Sequence, residues 1–367
     1  YFFDGKISKQ IFLIVMSGFL CLAYQSQFVQ ILRYTRKAFR YIIIIAGKNV
    51  LFAVIAIVLI VFFNMGVLGY YVGYSLASII ALFFTYKSVS EYFNRFSLDT
   101  DWWSKVLKFG LPLLPMTLGI IIISITDRWC IKYFMGLEYV GIYSLGYRLA
   151  FILLFYSTVF RTAWQPIAMD NIDNKKLFVF VSRIFLGGGM CLAILVALCA
   201  PLVKVITPSM YHGSYKVIGM LGISFILYGF FPITQIGIIK SERTGILTAI
   251  VLGSAVMNIL LNLILIPLWG IIGASIATVL AMLLRNAIAL TVSEKRRNFG
   301  LERSTFILQF LLGCCAVTIL LIMNYNILSM VVSILLLIFL VFITIPLAYL
   351  KKYNFNVLKL LKSELMI

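Results

Sequence analysis

The chain has 367 residues, of which 63% are hydrophobic and only 12% are charged, and its mean hydropathy is +1.07. A soluble domain of this length needs far more polar surface than this composition provides. Apolar runs of about 20 residues recur along the whole chain, and each is long enough to cross a hydrocarbon core of about 30 Å. Because a spanning segment in lipid must satisfy its own backbone amides, these runs predict an all-α protein that crosses the membrane many times.

The apolar runs divide into eleven candidate membrane-spanning helices. In chain order they cover about 10–31, 42–63, 66–88, 111–135, 138–162, 178–200, 216–239, 245–266, 270–291, 304–324 and 328–350. The connections on one face are short, such as Gly136-Leu137, whereas those on the opposite face are longer and basic.

The formal net charge of +19 is unevenly distributed between these two sets of connections. Most of the 31 lysines and arginines lie in the longer connections, at 33–40, 87–108, 161–183, 240–243 and 295–303, and in the tail after residue 350. By the positive-inside rule this face and the C-terminus are cytoplasmic, and residue 1 is outside. The charge therefore indicates topology and contacts with anionic membrane lipids, not binding to nucleic acid.

A repeated sequence indicates how the helices are organised. GVLGYYVGYSLA at 66–77 aligns without gaps on GIIGASIATVLA at 270–281, and each copy follows a basic turn and one span. Spaced glycines also occur wherever helices pack closely, but the matching turn and span favour a true repeat. Transporters are commonly built from such repeats, with the substrate site between them.

The repeat predicts the division of the chain into domains. We predict a three-helix half of a first lobe (1–90), a cytoplasmic linker (91–110), a six-helix second lobe (111–291), two extra spans (292–350) and a basic cytoplasmic tail (351–367). Because residue 1 is Tyr and the second lobe has six helices, we expect about three further helices upstream.

Three charges lie close to the hairpin at Gly136-Leu137. Asp127, Arg128 and Arg148 are all inside predicted spans, where an isolated charge costs roughly 2.5–3.5 kcal/mol. Asp127 precedes the hairpin and Arg148 follows it at nearly the same depth, so we expect the two side chains to meet. Three interpretations stay open: a structural ion pair, a surplus cation that binds a diphosphate, and a coupling-ion site at Asp127.

Other residues are weaker candidates for a binding site. Arg285 and Lys240 lie on the side predicted to be cytoplasmic, where ordinary positive-inside anchoring is the favoured explanation and the inner mouth of a substrate path is the alternative. Tyr147 is a candidate for stacking on a sugar. The chain has no phosphate-binding glycine loop, no paired catalytic carboxylates and no nucleophile beside a base, so we predict neither an enzyme nor a cofactor.

Four short motifs carry a family resemblance: LPLLP at 111–115, DR at 127–128, VGIYSLGYR at 140–148 and AWQP at 163–166. In this order and spacing they resemble the polysaccharide transport family of the multidrug/oligosaccharidyl-lipid/polysaccharide exporter superfamily. The resemblance implies two six-helix lobes around a central cavity, often with two extra C-terminal helices. It also implies an inner-membrane flippase that moves undecaprenyl-diphosphate-linked O-antigen or capsule repeat units outward, alongside the polysaccharide polymerase machinery.

Rival functions remain open at this point. A polysaccharide polymerase or ligase is also basic and rich in helices, but it needs a large outer loop with catalytic charges. A drug/cation antiporter of the same superfamily would favour a cavity with surplus acid. Flipping of a peptidoglycan precursor is a close alternative to flipping of a polysaccharide repeat unit.

Overall fold

The computed structural model of the chain describes residues 9–35, 37–92, 100–171, 173–296 and 303–344. Regular secondary structure in these ranges is entirely helical, so the prediction of an all-α fold is confirmed. The chain divides into two compact units, residues 1–100 and 101–367, which we call the first and the second unit. The division falls inside the segment 91–110, which the sequence predicts to be a linker.

The first unit consists of three helices. They are α1 Lys9–Tyr34, α2 Ala38–Ile57 with a π-helical continuation Val58–Phe62, and α3 Gly66–Val89, which is followed by a 3-10 turn Ser90–Tyr92. α1 and α2 both pack against α3. Lys37, in the turn between α1 and α2, donates a hydrogen bond to Glu91 and lies 5.0 Å from the centre of the Tyr92 ring. The bond to Glu91 and the contact with Tyr92 raise the pKa of Lys37, and they join the basic turn to the end of α3.

The second unit holds the remaining helices. They are α4 Thr100–Gly110, which begins at the last residue of the first unit, α5 Leu113–Met135, α6 Leu137–Asp170, α7 Lys175–Cys199, α8 Val203–Ile206, α9 Tyr215–Thr234, α10 Ile236–Lys240, α11 Thr244–Arg296, α12 Arg303–Ile322 and α13 Ile327–Thr344. Short 3-10 turns, Ala200–Leu202 and Ser209–Ser214, flank α8. α9 is central because it packs against α6, α7 and α11, while α5 packs along α11. The last two helices, α12 and α13, pack against α7.

The longest helical segment, α11, is two helices joined by a sharp turn at Gly270. The backbone of Gly270 has φ 58° and ψ −136°, which lies in a region that side chains disfavour. The two halves, residues 244–269 and 271–296, then fold back on each other, and a Cβ on Gly273 would lie only 2.1 Å from the carbonyl oxygen of Leu265. Ten helices of the described chain are long and apolar enough to span a membrane. Because one of the ten is this hairpin, the prediction of about eleven spans is confirmed.

The two repeat copies begin with a glycine in the same backbone conformation. Gly66 begins α3 with φ 51°, and its aligned partner Gly270 has φ 58°. A Cβ on Gly69 would lie 3.1 Å from the backbone carbon of Leu59, just as Gly273 faces Leu265. The aligned glycines therefore make the same kind of tight helical hairpin once in each unit.

Two features of the fold differ from the sequence predictions. α4 is a short amphipathic helix with Trp103 and Leu107 exposed, and it has no counterpart among the predicted spans because its apolar face is too short to cross a membrane. α6 continues through Pro166 to Asp170, beyond the predicted end of its span. The predicted tail, residues 351–367, and the end of the last predicted span lie outside the described residues.

Candidate functional site

Asp127 lies in the interior of the second unit. The buried positions of α5 are Gly119, Ile123, Asp127 and Ile131, which recur every four residues and so form one face of the helix. This face packs against α11, and Asp127 is only 4% exposed. The periodicity that buries the apolar residues of α5 therefore also buries its carboxylate.

Three side chains from two other helices donate hydrogen bonds to this carboxylate. Tyr143 of α6 donates to Oδ2 at 2.6 Å, Thr278 of α11 donates to the same oxygen at 2.8 Å, and Asn262 of α11 donates to Oδ1 at 2.8 Å. Asn258, one turn before Asn262, is in contact with both Asn262 and Thr278. We call these five residues the Asp127 cluster.

The hairpin at Gly270 assembles this cluster. Asn262 precedes the glycine by as many residues as Thr278 follows it, so the two halves of α11 bring both side chains to the same depth. The first half then presents Asn262, and the second half Thr278, to the carboxylate of α5. The signal in the sequence is the pair Asn258 and Asn262, which lie four apart in an apolar span and are not among the predicted site residues.

No cation neutralises Asp127 among the described residues. The hydrogen bonds come from neutral groups, and no lysine or arginine lies within ion-pair distance of the carboxylate in the described ranges. An ionised carboxylate in a buried apolar region is costly unless a cation or a proton compensates for it. The cluster also contains oxygens that suit a small hard cation, including Asn262 Oδ1, which is buried and has no hydrogen-bond partner in the described part of the chain.

The predicted contact between Asp127 and Arg148 is wrong. The buried face of α6 carries Tyr143, Gly146 and Ala150, whereas Arg148 is exposed. Five residues separate Tyr143 from Arg148, which places Arg148 about 140° further around the helix. The matched depth of the two charges is therefore not sufficient, because α6 turns Tyr143 toward the carboxylate and Arg148 away from it.

Arg128 and Tyr147 form a separate contact near the cluster. The guanidinium carbon of Arg128 lies 4.6 Å from the centre of the Tyr147 ring, and its Nη1 donates to the carbonyl of Ser124 at 2.9 Å. Tyr147 in turn packs edge to face on Phe225 of α9, with the ring centres 5.0 Å apart. Both predicted residues are thus partly buried, and the Tyr147 ring is occupied by a cation in this structure.

A cavity of about 230 Å³ connects these groups inside the second unit. Asp127, Tyr147 and Thr278 line it, and Ser224 and Tyr228 also contribute to its wall. The cavity is mostly apolar with a few polar groups, which is typical of sites for small ligands and ions.

The two remaining predicted residues occupy different environments. Lys240, at the end of α10, is exposed, whereas Arg285 on the second half of α11 is only 1% exposed. The guanidinium carbon of Arg285 lies 4.3 Å from the centre of the Phe231 ring and 5.7 Å from that of Tyr228. No contact joins Lys240 to Arg285 in the described ranges, so the structure does not bring them together at one mouth.

The helices and the buried polar cluster define a multi-pass α-helical membrane protein with ionisable groups inside its second unit. Residues 1–172 match the model of the family described as polysaccharide biosynthesis protein. The predicted resemblance to a polysaccharide family is therefore confirmed over residues 1–172, which are just under half of the chain.

Two individual proteins show the reach of this similarity. The uncharacterized membrane protein MJ1068 of Methanocaldococcus jannaschii is 25% identical over 222 residues, which cover 56% of this chain and 43% of that relative's length. The solved structure of the lipid II flippase MurJ in its inward closed conformation has a TM-score of 0.56 and 15% identity, and the match covers 92% of this chain and 73% of MurJ. The chain therefore has the fold of MurJ over most of its length.

Proposed function

We propose that this chain is part of a flippase that moves a lipid-linked saccharide across the bilayer, with undecaprenyl-diphosphate-linked O-antigen or capsule repeat units as the substrate. The family match over residues 1–172 and the fold shared with MurJ support a lipid-linked substrate. The bacterial inner membrane is the compartment that fits this substrate, with the C-terminus cytoplasmic and the polysaccharide polymerase machinery as a functional partner.

The observation that carries the proposal is the separation of charges at the α5–α6 hairpin. The carboxylate of Asp127 accepts hydrogen bonds from neutral side chains in the interior, so it neutralises neither Arg128 nor Arg148. Arg148 is exposed within its span, and a guanidinium can bind two oxygens of a diphosphate at once. We assign the diphosphate to Arg148 and Arg128, with Tyr147 orienting Arg128 and Lys240 attracting the headgroup on the cytoplasmic side.

We assign coupling to Asp127. A buried carboxylate surrounded by neutral oxygen and nitrogen groups can bind a proton or a small cation. When the surrounding helices move apart, water can hydrate the carboxylate and the ion can leave. Because α11 supplies Asn262 and Thr278, occupancy of the cluster would set how tightly α5 packs on the α11 hairpin. This links an ion gradient to a helix rearrangement inside the second unit.

The test is complementation of a strain blocked in surface polysaccharide export, using the full-length gene. Arg148→Ala and Asp127→Asn are each expected to reduce export by about tenfold or more at normal expression, while Arg148→Lys restores only part of it. Arg243→Ala removes another exposed arginine of the second unit and serves as the matched control. Normal export by Arg148→Ala would disprove the role of that cation.

A cation-coupled antiporter is the second candidate, and the buried Asp127 cluster is the observation that favours it. An antiporter uses a buried carboxylate to exchange an ion for a cationic drug, and the surplus arginines would play no part. Comparing the drug resistance of Asp127 and Arg148 variants distinguishes the two functions. Resistance to cationic drugs that depends on Asp127 but not on Arg148 would favour the antiporter.

A further inference from the structure

A second group of cations lies in the second unit, apart from the Asp127 cluster. Arg285 of α11 and Arg161 of α6 both contact Tyr228 of α9. Tyr228 is also in the wall of the cavity that Asp127 lines, so this residue connects the second group of cations to that cavity. We call Arg161, Tyr228 and Arg285 the arginine–tyrosine cluster.

Arg285 is the largest fully buried side chain in the described part of the molecule. Its Nε and Nη2 are both inaccessible and have no hydrogen-bond partner among the residues that the structure describes. The faces of Phe231 and Tyr228 compensate for part of the lost hydration, since aromatic rings attract cations. They cannot accept hydrogen bonds in the plane of the guanidinium, where its donors point, so those donors stay available for an anion.

The neighbouring polar groups are already occupied and do not serve Arg285. Asn286 donates to the carbonyls of Leu227 and Met282 at 2.9 and 2.8 Å, and its Oδ1 accepts from Thr234 at 3.1 Å. The side chain of Asn286 is thus fully hydrogen-bonded, whereas Nε and Nη2 of the adjacent Arg285 have no partner among the described residues. A buried charge of this kind is stable only when an opposite charge or hydrogen-bond acceptors reach it.

Arg161 and Tyr228 add two more donors on the same side. Arg161 is exposed and its Nη1 donates to the hydroxyl oxygen of Tyr228 at 3.1 Å, which leaves the hydroxyl hydrogen of Tyr228 without an acceptor among the described residues. Both guanidinium groups contact the same residue, Tyr228, so two positive charges lie near each other. Two cations and a hydroxyl donor therefore face one region, and no carboxylate is bound to any of them in the described ranges.

We propose that Arg285, Arg161 and Tyr228 form a binding site for a phosphate group. A phosphate offers several oxygens to the guanidinium donors and one to the Tyr228 hydroxyl, and its charge relieves the repulsion between the arginines. Exposed Arg161 gives the anion access from the face that the lysine and arginine distribution predicts to be cytoplasmic. The phosphate belongs either to an anionic phospholipid headgroup or to a soluble phosphate compound, since both present the same chemistry.

The site goes beyond the proposed transport function and does not depend on it. Arg148 and Arg128 are assigned to the transported diphosphate, and neither contacts Tyr228 in the described ranges. Loss of export in Arg148→Ala with unchanged phosphate binding at Tyr228 would support both proposals. Each can therefore fail without the other.

The experiment measures binding of two probes to the full-length protein in nanodiscs. Pyrophosphate is titrated calorimetrically into protein in neutral phosphatidylcholine, and retention of phosphatidylglycerol is counted by native mass spectrometry. Arg285→Gln and Arg161→Gln are each expected to weaken the probe that binds by about tenfold or more, because each removes a charged hydrogen-bonding partner. Tyr228→Phe keeps the ring under Arg285 and is expected to cost a few-fold.

Arg243→Gln is the matched control, because it removes an exposed arginine of the second unit outside the cluster. Weakened pyrophosphate binding identifies a soluble phosphate compound as the ligand, and lost phosphatidylglycerol identifies a lipid headgroup. If Arg285→Gln fails to fold, Arg161→Gln and Tyr228→Phe test the same site from outside the core. The proposal is overturned if the wild type retains neither probe, or if the cluster variants bind as tightly as Arg243→Gln.

Discussion

The two repeat copies make the same hairpin and then use it for different chemistry. In the first unit, Gly66 leads into Tyr74, whose ring packs on Phe52 and lies 5.7 Å from the Lys48 ammonium. In the second unit the aligned turn at Gly270 leads into Thr278, which donates to Asp127. The backbone geometry is shared, but the residue eight positions after the glycine sets the local polarity.

This difference shows which part of a repeat is interchangeable. The glycines determine how closely two helices approach, and that requirement is the same in both units. The side chain presented at that closest approach is free to vary, so one unit holds an aromatic and a lysine and the other a buried carboxylate network. Among the residues that the structure describes, the charge near this position is therefore the partly buried Lys48 in the first unit and the buried Asp127 in the second.

The largest expected effect comes from the hairpin glycines. Gly273→Ala is expected to destabilise the protein by about 3 kcal/mol or more, because its Cβ would meet the Leu265 carbonyl oxygen at 2.1 Å and the backbone must shift. Gly69→Ala, the aligned change in the first unit, has its nearest backbone atom at 3.1 Å and is expected to cost clearly less. Thermal melting of the two detergent-solubilised variants measures the difference, and equal melting temperatures would contradict it.

Asp127→Leu is expected to have the next largest effect. The substitution leaves the donors of Tyr143, Asn262 and Thr278 without their acceptor, at a cost of about 2–3 kcal/mol after partial rearrangement. Asp127→Asn keeps an acceptor oxygen and is expected to cost less stability while still reducing export.

The pair of Asp127 variants distinguishes a structural from a functional carboxylate. If Asp127→Leu melts like the wild type, the hydrogen bonds of the cluster contribute nothing to stability. If Asp127→Asn exports normally, the charge of Asp127 is not needed for transport. Both variants are compared at equal expression, measured by fluorescence-detected gel filtration.

The fold was predictable because apolar length and glycine spacing are local properties of the sequence. Eleven spans and the turn at Gly270 follow from runs of hydrophobic residues and from the GIIGASIATVLA repeat. α4 escaped prediction because an amphipathic helix of 11 residues lacks the length that marks a span. Length therefore predicts spanning helices well and surface helices poorly.

The site was predictable only in part, since it depends on which face of each helix meets another helix. The charge of Asp127 alone marks it as a candidate, and its depth predicts Arg148 as its partner. The face of α6 that is turned toward Asp127 carries Tyr143 instead. The apolar packing of α6 on α9 determines which face this is. Asn262 and Thr278 reach Asp127 across 135 and 151 residues of sequence, a distance over which pattern alone gives no guide.

The smallest expected effect compares the aligned residues Thr278 and Tyr74 directly. Thr278→Val keeps the shape of the side chain but removes a donor to Asp127, so we expect a loss of about 1 kcal/mol of stability. Tyr74→Phe removes a hydroxyl that makes no hydrogen bond in the described structure, and we expect a change within about 0.5 kcal/mol. Melting temperatures in the same detergent measure both changes. A larger loss of stability for Tyr74→Phe than for Thr278→Val would contradict this expectation. It would mean that the hydroxyl of Tyr74 in the first unit stabilises the fold more than the hydrogen bond from Thr278 to Asp127.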